Sequence, residues 1–266
     1  MMKTRGTLLC GIAAMLAMMA APALAQVAPR TNYEELQKEA KADRSIRIAL
    51  GATDRSTEAL LRDDARYAAL ILKQTGAQPG MRVLDVGSGG GYLALLLSSM
   101  VGEKGHVDIH NTYNWINQFP SMDPEVEKRR IKRANIGWIT ADWNAIPAEP
   151  KESYDIIILG QVFHDFGLEQ GDYDLVCATF FKLLKPGGRL VIEDHDALDT
   201  MPPAQQMSLH RLSVAYTTEF ATHAGFKPVD VILMDSKYDD RRFNVFRPGV
   251  RGRTDRYVAT FEKPKP

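Results

Sequence analysis

The chain has 266 residues, with 33 basic and 33 acidic side chains and a net charge of zero. That length is enough for one α/β domain with a full core, and electrical balance of this kind gives no support for a nucleic-acid footprint. Of the two cysteines, Cys10 falls in the amino-terminal segment, so Cys177 alone remains once that segment is set aside and no internal disulfide is possible.

In chain order, Lys3 and Arg5 precede an uncharged apolar run from Leu8 to about Ala20, which ends in Ala23-Leu24-Ala25 before Gln26. A basic head, a short apolar middle and small residues at the end are the pattern of a cleaved secretory signal. The run is shorter than the ~20 residues a membrane span requires. Residues 1–25 are therefore expected to be a signal peptide, with the mature chain periplasmic or secreted and left with no stable span. Residues 26–78 read as a helical extension. Within it, "YEELQKEA" follows the capping candidates Thr31 and Asn32, and one longer helix is expected from about Ser56 to Gln74, closed by Gly76.

From Pro79-Gly80 onward the chain alternates between strands and helices. Strands are expected at Arg82–Val86, Gly105–Ile109, Ile136–Thr140 and Tyr154–Gln161, the last a continuous apolar run suited to burial on both faces. Helices are expected at Gly91–Met100 and from Asp123 to about Arg133. The helix "DLVCATFFKLLK" stops at Pro186-Gly187-Gly188 and is followed by the strand "RLVIED". A helix over roughly Ser208–Ala224 and two final strands, "KPVDVILM" and "DRYVATFEK", enclose a charged loop at residues 235–254. Alternation of this kind argues for one open, mostly parallel sheet with helices on both faces.

The first of these strands runs into "DVGSGGGY", residues 85–92. Glycines between a strand and a helix start leave bare backbone and free N–H groups for a nucleotide-like ligand. The spacing is Asp85-x-Gly87-x-Gly89-x-Gly91, with Tyr92 where a dinucleotide fingerprint needs a sixth-position glycine. "VLDVGSGGGYLALLL", with "GHVDIHN", "ADWNAIP", "YDIIILGQVFHD" and "LLKPGGRLVIEDH" after it, resembles the class I S-adenosylmethionine-dependent methyltransferases, closest to a group of exported predicted methyltransferases. The resemblance implies a Rossmann-like α/β fold with a mostly parallel seven-stranded sheet over residues 79–266 and S-adenosyl-L-methionine as cofactor; it leaves the acceptor open, for which a small molecule is expected. It also implies roles. Gly87, Gly89 and Gly91 would pass under the methionine part and the ribose, and Asp85 before them would help hold the amino group. Asp142 would accept from the adenine amino group, with Trp143 beside it to stack on the ring. Asn111 falls where the family usually carries an acid for the ribose hydroxyls, with Asp108 the alternative if the register slips. If Asn111 faces the ribose, Asn111→Asp should tighten cofactor binding.

Methyl transfer requires positioning and, for some acceptors, a base. His164 and His195 follow expected strands at the carboxyl end of the sheet and are the catalytic candidates, with His110 a weaker one. A second reading uses His164, Asp165, His195 and Asp196 as metal ligands in an exported binding protein, although no pair has a recognised ligand spacing. A third is a non-catalytic descendant binding another small molecule, with "RDDAR" at 62–66 and "DDRRF" at 239–243 closing over it. Export sits awkwardly with the cofactor, because a charged sulfonium made in the cytoplasm does not cross a bilayer unaided.

Overall fold

A computed structural model of the chain describes residues 27–147 and 150–266; the expected signal peptide lies outside the described residues. Strand β1 (Arg82–Val86) and strand β4 (Tyr154–Gly160) form the middle of a sheet ordered β3-β2-β1-β4-β5-β7-β6. The other strands are β2 (His106–Asn111), β3 (Ile136–Thr140), β5 (Leu184–His195), β6 (Lys227–Met234) and β7 (Arg256–Glu262). All pairings from β3 through β5 are parallel, and β7 inserts antiparallel between β5 and β6. Ile156 to Leu159 of β4 are at most 1% exposed, as expected of a strand covered on both faces. Truncating one such side chain to alanine would cost about 2–5 kcal/mol.

Two apolar layers cover the sheet. On one face α5 (Tyr92–Val101) packs with α1 (Tyr33–Ala42), α2 (Arg44–Leu50) and α4 (Ala68–Thr75), so the amino-terminal helices share the core of the sheet. The opposite face is covered by α9 (Tyr173–Leu183) and α11 (Val214–His223), through Phe180, Leu183 and Ala221. Among the described residues no helix is long and apolar enough to cross a membrane.

The single helix expected over Ser56–Gln74 is two. Helix α3 (Thr57–Arg62) stops, and α4 begins after Tyr67, whose φ of 51° is left-handed. Arg55 breaks the run by clamping Asp63 with two hydrogen bonds of 2.5 and 2.9 Å. Leu61 is left 78% exposed, so the apolar periodicity there marked no buried face. Helix α6 (Tyr113–Gln118), capped by Thr112, α7 (Pro124–Arg130), α8 (Asp165–Leu168) and α10 (Pro203–Ser208) complete the helices used below. The chain between α10 and α11 turns at His210, in the left-handed region at φ 54°, instead of continuing one helix from Ser208.

The chain passes from β3, at one edge, back across the sheet to β4 beside β1. That reversal leaves a crevice outside the carboxyl ends of β1 and β4, where open α/β sheets bind ligands. Residues 87–91, 111–112, 141–143, 161–165 and 195–196 are the segments that leave the strands at this end.

Candidate active site

The glycine loop is built from alternating left-handed residues: Gly87, Gly89 and Gly91 have φ of 61°, 60° and 75°. Their reasons differ. A Cβ on Gly87 would lie 2.5 Å from Val162 Cγ2 and 3.2 Å from Trp143 Cη2, so packing excludes a side chain there. A Cβ on Gly89 would meet only Met122 Cε, at 3.7 Å, so this glycine faces the more open side. Asp85, 1% exposed, accepts from Ser88 Oγ at 2.6 Å. Burial pushes its carboxyl up to about 7, against the opposing pull of Ser88, the Ala94 N–H and the Arg66 charge.

Strand β2 fastens this loop from the side. The Asn111 amide accepts from the Gly89 N–H at 2.9 Å and donates to the Gly89 carbonyl at 3.0 Å. Asn111 is 3% exposed, and its polar atoms are committed to protein backbone, which corrects the expectation that they face a ribose. Asp108 is excluded from that place too. It bonds Tyr154 Oη (2.8 Å), Arg82 (3.1 Å) and His106 (3.0 Å), three residues before the strand's end. His110 is a second fastener: its ring lies 2.8 Å from the Ala141 carbonyl through Nε2 and takes the Gly87 N–H on Nδ1 at 3.4 Å. Burial pushes its pKa down to about 4, the carbonyl opposing, so the ring is neutral and holds one tautomer.

Beyond β3 the site opens into a cleft of ≈ 310 Å³, lined by Thr112, Asp142, Trp143, Asn144 and Glu169 among others. The exposed Asp142 carboxylate has no hydrogen-bond partner among the described residues, the state an adenine amino group would need to find. Trp143 is not the exposed stacking platform expected of it. It is 3% exposed, packs on Phe166 at 4.5 Å between ring centroids, and donates Nε1–H to Glu169 at 2.8 Å. Trp115 and Asn114 donate to the same carboxylate at 2.9 and 2.7 Å, so Trp143 is wall and Glu169 ties the wall together.

At the other end lies a polar cluster that the motifs did not point to. Glu193 of β5 is fully buried and receives Gln161 Nε2 at 3.0 Å and Arg256 at 3.3 Å, with Arg66 3.7 Å away. Glu193 Oε2 and Arg66 Nε are buried without a hydrogen-bond partner. Both lie against Gly160, where a Cβ would come 3.6 Å from Arg66 Nη2 and 3.8 Å from Glu193 Oε2. Gln161, bonded to Glu193, is held at φ 59°. A zwitterionic amino-acid end would satisfy these orphans, its carboxylate toward Arg66 and its ammonium toward Glu193 and Asp85. With Asp142 free at the far end, the residues present fit an adenosyl cofactor. Arg66 had been read only within a charge run, and Glu193 was visible as an acid interrupting the apolar "RLVIED".

The two histidine candidates separate. His164, buried, lies between Asp194 Oδ1 (2.7 Å from Nδ1) and Asp165 Oδ1 (3.3 Å from Nε2). Its own burial would lower its pKa, but the two carboxylates overcome this and hold it up at about 10. A ring protonated at neutral pH and bonded on both sides cannot take a proton, so His164 is not the base expected. His195 is the reverse case. Desolvation first, then the charges of His164, Arg256, Arg211 and Arg66, hold it well below the usual histidine range. Its Nδ1 is fixed by Thr254 Oγ1 at 2.7 Å, and its Nε2 has no partner among the described residues. The metal set read as His164, Asp165, His195 and Asp196 is not brought together either. Asp196, just past β5, is bonded to Arg241 of the loop after β6, and the buried side-chain pair Arg211–Asp239 at 2.8 Å ties the same loop to the turn between α10 and α11.

The chain and its fold have counterparts among known proteins. Residues 77–244, more than half of the chain, match the profile of a family described as methyltransferase domain. The ubiquinone/menaquinone biosynthesis C-methyltransferase UbiE of Shewanella piezotolerans is 35% identical over 132 residues, 47% of this chain and 47% of that protein. The UbiE of Vibrio vulnificus is 34% identical over 121 residues, 44% and 42% of the two chains. The chain thus spans less than half the length of these relatives. A SAM-dependent methyltransferase from Aquifex aeolicus, 20% identical, superposes with a TM-score of 0.54 over 88% of this chain and 99% of its own, which shows the shared fold. With its seven-stranded sheet, its glycine loop and this match, the chain belongs to the methyltransferase-domain family of S-adenosylmethionine-dependent enzymes.

Proposed function

We propose that the chain catalyses methyl transfer from S-adenosyl-L-methionine to a small-molecule acceptor seated over the carboxyl ends of β4 and β5. The observation that carries this reading is the pair of crevice ends: Arg66 Nε and Glu193 Oε2 buried without a hydrogen-bond partner at one end, and the exposed Asp142 carboxylate, bonded to no described residue, at the other. When bound, the cofactor supplies a methyl group on a sulfonium, open to in-line displacement by the acceptor. Arg66 would hold the carboxylate end, Asp142 the adenine end, and the backbone from Gly87 to Gly89 the segment between. Asn111 and His110 keep that backbone in place. His195 Nε2, unprotonated at neutral pH, receives a hydrogen bond or a proton from the acceptor. Its low basicity suits an acceptor that carries an acidic proton.

The acceptor of the UbiE relatives, a biosynthetic precursor of a quinone, is one candidate class. The signal-like pattern of residues 1–25 supports export with Gln26 as the first mature residue, and amino-terminal sequencing of the exported protein tests that directly. For the reaction, the test is calorimetric titration of the chain with S-adenosylmethionine and with S-adenosylhomocysteine. An acceptor screen read by S-adenosylhomocysteine release would follow. Binding of both, weakened at least tenfold by Arg66→Leu and by Asp142→Ala, is the expected result. Failure of either nucleoside to bind the folded protein would overturn the reading.

A further inference from the structure

Beside the proposed methyl-transfer site, three side chains that the reading above leaves without a task converge on one point. His164 Nε2 and Asp165 Oδ1 are 3.3 Å apart, Asp165 Oδ1 and His210 Nδ1 are 3.5 Å apart, and all three ligand atoms lie within 4.8 Å of one another. Around a tetrahedral ion with bonds of about 2.0–2.1 Å, donor atoms stand about 3.4 Å apart. Two of the three edges therefore already have that length, and the His164–His210 edge is no longer than 4.8 Å.

We propose that His164, Asp165 and His210 form a binding site for one divalent transition-metal ion of the zinc class, with a fourth position left for water or for an acceptor atom. The donor set, two imidazoles and one carboxylate, is that of catalytic rather than closed structural zinc sites. The outer partners are in place as well. Asp194 Oδ1 holds the Nδ1–H of His164 at 2.7 Å, so that an ion displacing the second proton, the one between Nε2 and Asp165, meets an Nε2 lone pair directed at the site, and Asp194 is itself fixed by the backbone N–H groups of His164 and His195. A ligating histidine characteristically has such a carboxylate behind it. His210 is presented at a cost: its φ of 54° is unfavourable for a residue with a Cβ, yet its ring is seated against Phe246 at 4.9 Å and against His164 at 5.4 Å. Backbone strain of about 1–3 kcal/mol, kept where it aims an imidazole at two other donors, points to a function for the aim. The His164 and His195 rings are 6.0 Å apart, so an ion here lies next to the free Nε2 of His195. An acceptor bound at the fourth position would have its proton made more acidic by the ion.

The test uses the purified full chain, stripped with a chelator and titrated with Zn²⁺ alone by calorimetry. Co²⁺ replaces it in a second titration to read the visible absorption of a tetrahedral site. One equivalent per chain is expected in both. His210→Gly removes one ligand and relieves the left-handed strain at the same position, so the variant should melt no lower than the parent while its Zn²⁺ affinity falls at least tenfold. His223→Ala, at an exposed histidine of α11 paired with Asp174, should leave the affinity unchanged. Absence of stoichiometric binding by the parent, or unchanged Zn²⁺ affinity in His210→Gly, would overturn the site. Either result leaves cofactor binding untouched, since none of the three ligands holds the adenosyl group in the reading above.

Discussion

Replacing Asn111 by aspartate sets the structure against the family pattern. The resemblance puts position 111 at the ribose, where a carboxylate would tighten cofactor binding. In the structure the amide instead donates to the Gly89 carbonyl at 3.0 Å and accepts from the Gly89 N–H at 2.9 Å, with 3% of the residue exposed. An ionised aspartate keeps the second bond, loses the first and turns a charged oxygen toward a carbonyl oxygen. Leaving that partly buried carbonyl unsatisfied costs about 1–3 kcal/mol, and burying the charge adds to it. We expect a loss of about 3 kcal/mol, which for a domain of this size lowers the melting temperature by roughly 6–12 °C. A protonated carboxyl, however, can accept from Gly89 N–H and donate to Gly89 C=O as the amide does. The folded protein therefore favours the protonated form, the variant's pKa at this position is raised on folding, and the deficit is present at pH 8 and shrinks as pH falls toward 5. Scanning calorimetry at both pH values measures this, and titration with S-adenosylmethionine at pH 8 should show affinity reduced about tenfold as the loop loosens. Unchanged melting together with tighter binding would refute the reasoning and return Asn111 to the ribose.

Gly87→Ala places a methyl group 2.5 Å from Val162 Cγ2 at a φ of 61°, so urea denaturation should show a loss of about 2–4 kcal/mol; a neutral result would mean that the loop shifts freely. His195→Gln should slow S-adenosylhomocysteine release by about 10²–10⁴-fold in the presence of acceptor. S-adenosylmethionine affinity should stay within about twofold of the parent by calorimetry. Equal turnover would remove His195 from the chemistry. Asp85 is raised from 3.8 unfolded to about 7 folded, so the native state holds the extra proton and this group's contribution is lost as pH rises from about 4 to about 7. Asp85→Asn should accordingly gain stability relative to the parent between pH 5 and pH 8, while binding S-adenosylmethionine more weakly. A difference in melting temperature that does not change over that range would contradict the shift.

The sheet was legible because its signals are local. Ile156–Leu159 reads as a covered strand in any context, and the glycines after Val86 announce a strand–turn–helix wherever they occur. Strands β1, β3 and β6 have their expected bounds for that reason. The breaks in the helices were not legible. The turn before α4 depends on Arg55 reaching Asp63, and the left-handed His210 is held between Met207 and Phe246, contacts that no periodicity encodes. The site was legible in the same unequal way. Motif positions located the loop and Asp142, but the direction in which Asn111 and Trp143 point is a tertiary fact. The opposite protonation of His164 and His195, both followed by an aspartate in the sequence, comes from burial common to both rings: Asp194 and Asp165 overcome it at His164, while the His164 charge and three arginines reinforce it at His195.

The knot of donors on Glu169 has a practical side. Of the chain's three tryptophans, Trp115 and Trp143 both end on that carboxylate in the wall of the crevice, while Trp138 sits apart on β3 beside Lys128. Two of the three indoles therefore sit next to where the adenine would rest. A purine arriving there, or Glu169 turning to meet it, would change the emission of two indoles at once, giving the unlabelled chain its own optical gauge of occupancy.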